Sequence, residues 1–326
     1  MSARLALAFE DPPEGPVLAL MPRIEDLSVL AAADVTVYQP LAPAFQAAQG
    51  AGLAANEALP AGEWPVVFVF GRKARAEFLA LIGEGWRRCA LGGRFYIDAP
   101  KTLGIDAIIK QLRKRVEIAD VTPKAHGKLV EITKSGPDDL FDDWIEAAKP
   151  RPGPEGFLTA PGLFSPEKID PGSARLAEIV GEAKGRVLDL GAGWGYLAKA
   201  TLGRETEAVH LVDADARALD LARQNLIDPR AHFHWADAAT FTSNAPFDTI
   251  LSNPPFHQDR ASDISLGQSF ITTAARLLAR GGTAYFVANR HLPYEKVFEQ
   301  AFAQWRILDE EGGFKIVSAQ RPKGAR

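Results

Sequence analysis

From residue 185 the chain alternates short apolar runs with segments of helical period, and no other pattern limits its fold more tightly. "GRVLDL" (185–190) reads as a buried strand and "YLAKATLG" (196–203) as a helix. "AVHLVDAD" is again a strand and "ARALDLARQNL" a helix, while "AHFHWAD" and "FDTILSN" are strands. "SFITTAARLLARGG" is a helix closed by a glycine pair, and "TAYFVAN" is the strand after it. Such alternation predicts a mostly parallel sheet with helices on both faces. The first half holds a comparable unit: "VVFVF" (66–70), the helical "RAEFLALIGEGWRRCAL", Gly92-Gly93 and the strand "RFYIDAP". Its order repeats that of "DTIL", "FITTAARLLAR", Gly281-Gly282 and "TAYFVAN". The expected fold class is therefore α/β, with two tandem doubly wound domains. The Pro/Gly-rich "AAKPRPGPEG" (147–156) marks the joint, giving domains at 1–148 and 157–326 with a linker at 149–156. A length of 326 residues accords with two domains.

With 47% hydrophobic and 24% charged residues the composition is that of a soluble globular protein. No apolar stretch reaches the roughly 18–20 residues that span a bilayer, and "MSARLALAFE" is too weak for a secretory signal. Cys89 is the only cysteine, which excludes an internal disulfide and a cysteine-based zinc site. A cytoplasmic protein with no membrane partner and no metal is expected. The net charge of −4 conceals a split, because residues 71–134 carry fourteen Lys/Arg against seven Asp/Glu. Arg72, Lys73, Arg113, Lys114 and Arg115 in this segment are candidate contacts to a nucleic acid, or else a solvated face. No repeat or coiled-coil pattern bears on oligomeric state.

"VLDLGAGWGYLAKA" (187–200) places Gly191, Gly193 and Gly195 between a strand and a helix. Glycine there permits positive φ and close approach of a ligand to the backbone. The spacing is GxGxG, which disfavours NAD, and no GxxxxGK[ST] exists to hold a nucleoside triphosphate. Asp189 stands two residues before the first glycine, and the next strand ends in Asp213, whose carboxylate could accept from both hydroxyls of a ribose. The third strand ends at Asp237 and the fourth at Asn253. Polar ends on four successive strands mark the carboxyl edge as the ligand edge, although Asp213 or Asp237 could each cap a helix instead. The loop residues Ala192, Ala214 and Ala238 would line the same site. The fourth strand runs into "SNPPFH" (252–257), where Pro254 and Pro255 must end it abruptly.

Together the Asp-x-Gly-x-Gly-x-Gly loop, the acids on the second and third strands and NPPF on the fourth resemble a class I S-adenosylmethionine-dependent methyltransferase. More narrowly, "PGLFSPEKIDPGSARL", "VLDLGAGWGYLA", "ILSNPPFH" and "VANRHLPYE" resemble the bacterial ribosomal RNA guanine-N2 methyltransferases of the small subunit (16S). That resemblance covers about residues 157–320 and implies a degenerate methyltransferase-like domain before the catalytic one. It implies S-adenosyl-L-methionine as cofactor and ribosomal RNA or a ribosomal subunit as partner. It also implies that the Asn253 side-chain oxygen and the Pro254 carbonyl hold the exocyclic amine, with Phe256 offering a ring for an extruded base. By resemblance, too, Phe164, Ser165 and Asp170 would cover the cofactor. His257 and the segment "NRHLPYE", with Arg290, His291, Pro293 and Tyr294, are candidates for the base pocket, and Lys315 for an RNA contact. An adenine-N6 DNA methyltransferase, a glutamine-amide methyltransferase of a translation factor and a non-enzymatic RNA-binding factor are the alternatives.

Overall fold

The alternation becomes two sheets of seven strands with one shared order. The computed structural model describes residues 3–9, 13–30, 34–255, 261–290 and 294–323. Two compact units divide the chain: Met1–Pro150 with Ala160–Gly162, and Arg151–Thr159 with Leu163–Arg326.

In the first unit the strands are β1 (Val17–Leu20), β2 (Val35–Tyr38), β3 (Ala54–Asn56), β4 (Trp64–Phe70), β5 (Cys89–Pro100), β6 (Asp120–Lys124) and β7 (Gly127–Thr133). Their order is β3-β2-β1-β4-β5-β7-β6, with only β7 antiparallel to its neighbours β5 and β6. The helices are α1 (Ala3–Ala8), α2 (Ala42–Gly50), α3 (Arg75–Arg88), α4 (Ile105–Leu112) and α5 (Asp142–Glu146). The segment 149–156 is not slack, since β8 (Arg151–Pro152) pairs antiparallel with β9 (Leu158–Thr159). The second unit repeats the order as β12-β11-β10-β13-β14-β16-β15. Here β10 is Ala183–Leu190, β11 Leu202–Asp213, β12 Ala231–Trp235, β13 Phe247–Ser252, β14 Leu278–Asn289, β15 Phe302–Glu311 and β16 Phe314–Pro322. Its helices are α6 (Pro171–Val180), α7 (Tyr196–Thr201), α8 (Ala216–Asn225), α9 (Ala261–Leu277) and α10 (Glu295–Ala301).

Each sheet buries both faces, which is why its central strands are apolar throughout rather than alternating. On β10, Leu188 and Leu190 enter a core with Ile271 and Phe286, while Val187 enters the opposite one with Leu176 and Leu197. Burying each such aliphatic side chain contributes about 1.5–3 kcal/mol. The second glycine of each Gly-Gly joint recurs for one steric reason. A methyl group on Gly93 would stand 2.9 Å from the Pro65 carbonyl oxygen, and on Gly282 it would stand 2.8 Å from that of Asp248. Register shows Gly93 and Gly282 to be equivalent, each next to the residue paired with the core of the neighbouring strand.

The same register sets the strand ends of the two units side by side. Where the second unit has Asp189 the first has Ala19, where it has Asp213 the first has Gln39, and where it has Asn253 the first has Phe70. Gln39 is buried and spends its side chain on its own loops, donating to the Pro22 carbonyl at 3.0 Å and accepting from the Leu41 N–H at 3.3 Å. The first unit keeps the frame and has lost the acids. Among the described residues no helix is long and apolar enough to cross a membrane.

Candidate active site

β10 delivers the glycine loop at its carboxyl end. Gly191, Gly193 and Gly195 all have positive φ (82°, 54° and 89°), and the Gly191 and Ala192 N–H groups donate to the Val212 carbonyl of β11. A methyl group on Gly191 would also stand 2.9 Å from the Phe270 ring, whereas above Gly193 the space is open. The loop is thus fixed from below and clear on the side a ligand would occupy.

Two acids flank it, Asp189 wholly buried and Asp213 half-buried. Asp189 Oδ2 accepts from the Ala198 N–H at 2.9 Å, and its Oδ1 has no hydrogen-bond partner. An orphaned buried carboxylate oxygen costs about 1–3 kcal/mol or more, so the site is built for a donor that arrives later. Asp213 accepts from the Gly193 N–H at 2.7 Å and from the Asp215 N–H at 2.8 Å, and each oxygen keeps a spare lone pair. Burial pushes Asp189 up to about 7, with the Ala198 N–H opposing it, and burial likewise pushes Asp213 up to about 6. The cap of α8 is Asp215, not Asp213. Asp237 lies just beyond β12 and accepts from the Ala239 N–H in a turn, beside the buried Ala238. The Ala214 carbonyl is held by Trp235 Nε1 at 2.8 Å.

Asn253 follows β13, and Pro254 and Pro255 leave the sheet behind it. Ser252, wholly buried, donates to the Leu190 carbonyl at 2.7 Å and so ties the proline turn to the start of the glycine loop. The Asn253 amide nitrogen donates to Asp170 Oδ1 at 2.9 Å and to Ser173 Oγ at 2.8 Å. Asp170 is the N-cap of α6, accepting from the Ser173 N–H at 2.9 Å ahead of Pro171. Phe164 is half exposed, and its carbonyl accepts from Trp194 Nε1 at 2.8 Å, while Ser165 sits at φ 45° and donates to Lys168.

Several expected contacts lie elsewhere. Phe256, His257, His291 and Pro293 fall outside the described residues. Lys315, expected as an RNA contact, is buried instead with Nζ on Glu295, whose carboxyl that bond holds below the usual range. Tyr294 is likewise wholly buried at the start of α10, packed in the core with Phe286 and Phe298. Arg290 is exposed and pairs with Glu310 at 2.8 Å. Asp170 holds Asn253 and a helix end, a role its expected place over the cofactor did not include. In the basic segment, Arg72 pairs with Glu77, and Arg115 grips both Asp143 oxygens under the Trp144 ring. Arg113 and Lys114 remain exposed beyond the far end of α4, whereas Arg72 and Lys73 follow β4 at the opposite edge of the sheet. The five therefore do not form one patch.

Sequence reasoning passed over Ser173, Trp194, Asn225 and Ser252. Asn225, buried on α8, accepts from the Leu158 N–H and donates to the Leu158 and Trp194 carbonyls, stapling β9 to the glycine loop. Only Ser173 left a legible trace, in the capping pattern Asp-Pro-Gly-Ser.

A glycine loop, two flanking acids and an Asn-Pro-Pro turn on this strand order define a methyltransferase, and a family model for the methyltransferase small domain matches residues 155–318. The chain belongs to the ribosomal RNA small subunit methyltransferase C family. Its relative of that name from Shewanella piezotolerans is 31% identical over 263 residues, covering 77% of this chain and 76% of the relative. The one from Acinetobacter baylyi is 31% identical over 270 residues, covering 78% of each. The fold matches a T. thermophilus 16S rRNA N2-guanine methyltransferase solved with AdoMet and guanosine, at TM-score 0.81 and 24% identity over 98% of this chain and 91% of that one.

The cofactor of this class is S-adenosylmethionine, and the residues present fit it. The unpartnered Asp189 oxygen suits a cationic donor, the spare lone pairs of Asp213 suit a ribose, and the open space over Gly193 admits close approach. Both carboxylates must ionise to bind a cation and hydroxyl donors. Cofactor affinity is therefore expected to weaken as pH falls from about 7 towards 5, with protons released on binding near neutrality. Calorimetry in two buffers of different ionisation enthalpy measures this; an affinity flat across that range would contradict it. In the free chain the sign reverses. Raised folded-state values make the acids' contribution full below their ordinary 3.8 and lost as pH rises through about 6 to 7.

Proposed function

We propose that the chain transfers a methyl group from S-adenosylmethionine to the exocyclic N2 amine of a guanine in small-subunit ribosomal RNA, in the cytoplasm where subunits are made. Residues 157–326 are the catalytic part, and residues 1–148, joined through 149–156, are a non-catalytic part that contacts RNA. One observation carries this reading: an amide and a proline carbonyl end β13 directly beside β10, the strand that ends in the glycine loop.

The amino group of guanine is planar because its lone pair is delocalised into the ring. Asn253 Oδ1 and the Pro254 carbonyl each accept one N–H, which fixes the nitrogen and favours the positive charge it develops. Pro254 and Pro255 stiffen the backbone, so these acceptors are in place before the base arrives. The cofactor supplies an electrophilic methyl group on a sulfonium. The N2 lone pair forms the new N–C bond as the C–S bond breaks, and the surplus proton passes to water afterwards. No general base is needed before attack.

Transfer from labelled cofactor to small subunits, large subunits, duplex DNA and a release factor tests the substrate class. Label in small-subunit RNA supports the reading; label only in DNA or only in protein overturns it. Charge reversal at Arg113 and Lys114 is expected to weaken RNA binding and reduce the salt slope by about two. Reversal at Arg115 is expected instead to lower thermal stability, because it breaks the Asp143 pair. An unchanged slope in the first variant would make that end of α4 a solvated face.

A further inference from the structure

We infer that Asp170 and Ser173 are positioning residues that set which way the Asn253 amide faces. The inference rests on the reading of Asn253 Oδ1 as an acceptor for the substrate amine. A primary amide is nearly symmetric in shape, and a half-turn about its last bond exchanges oxygen for NH2. Turned the wrong way, Asn253 would offer a donor to an amine that must itself donate, and the clamp would repel its substrate. Something has to choose the orientation.

Asp170 makes the choice by chemistry. An ionised carboxylate accepts and never donates, so the group that meets it must be the amide nitrogen. Its Oδ1 lies 2.9 Å from Asn253 Nδ2 and is itself fixed by the Ser173 N–H, at 2.9 Å, as the cap of α6. Ser173 Oγ takes the second amide proton at 2.8 Å. With both Nδ2 protons committed, Oδ1 is the group left to face outwards. Ser173 alone could not decide, since a hydroxyl both donates and accepts. The helix end is held close enough by Gly172, where a methyl group would stand 2.6 Å from Val287 Cγ1. The hydrogen bond donated to Asp170 also polarises the amide and makes Oδ1 a better acceptor.

The test separates orientation from helix capping. Asn and Ser cap helices about as well as Asp, so Asp170→Asn and Asp170→Ser should both keep the melting temperature within about 2 °C. In Asp170→Asn the cap still aims an oxygen at Asn253, and kcat should stay within about five-fold of wild type. Serine at 170 is too short to reach Asn253, and kcat should fall about 10–100-fold, with cofactor affinity and the KM for small-subunit RNA within three-fold. Ser173→Ala should lower kcat by about ten-fold. In the Asn253→Ala background, Asp170→Ser should slow single-turnover transfer no further, because there is no amide left to orient. Equal kcat for Asp170→Ser and wild type would overturn the inference, as would an undiminished effect of Asp170→Ser without Asn253. Failure of the functional reading would look different: the unmutated chain would then transfer nothing to ribosomal RNA.

Discussion

Asn253→Ala is expected to lower methyl transfer by at least about 10³-fold while leaving cofactor affinity within a few-fold. Removing one preorganised polar partner of a developing charge typically costs about 10²–10³ in kcat. Here the loss is compounded, because the same oxygen also places the nitrogen in line with the C–S bond. The variant should fold: Asn253 is only partly buried, and its two acceptors, Asp170 and Ser173, keep their own bond through the α6 cap. Calorimetry with the cofactor and single-turnover transfer to small-subunit RNA measure the two quantities. An equal loss of both would place Asn253 in the cofactor site or in the fold.

Asp213→Asn is expected to weaken cofactor binding by about 10²-fold, with a smaller change in kcat at saturating cofactor. The substitution preserves shape but exchanges a carboxylate for a group with one acceptor oxygen. One of the Gly193 and Asp215 N–H groups then loses its partner, and a ribose loses a charge-assisted bond worth about 1.5–3 kcal/mol. The first unit shows the outcome in another form, since Gln39 at the equivalent position turns onto its own loops. Binding of one cofactor per chain is therefore expected as well. An unchanged affinity in Asp213→Asn would remove that acid from the cofactor site, and two bound per chain would mean that the first unit is not degenerate.

The fold was largely legible because strand and helix alternation, Gly-Gly joints and proline stops are local signals. Two sheets of common order follow from them, down to the second glycine of each pair, which both units press against a neighbouring carbonyl. The glycine loop and its acids were legible for the same reason, since a strand end and a positive φ are written in few residues. Charge was read less well. Arg115 and Lys315 look like free cations in sequence, yet Asp143 and Glu295 claim them across 28 and 20 residues. The tie from Asp170 to Asn253 spans 83 residues and joins a helix cap to a strand end, so no local pattern carries it. What the sequence concealed was partnership at a distance.

The central claim concerns one atom, the N2 of a guanine. Small subunits incubated with labelled cofactor, stripped to RNA and digested to nucleosides give the most direct test, with Asn253→Ala as the blank. The expected result is label in N2-methylguanosine from 16S rRNA, at one site per subunit and absent from the blank. Label in N6-methyladenosine, or in protein with none in RNA, would contradict it.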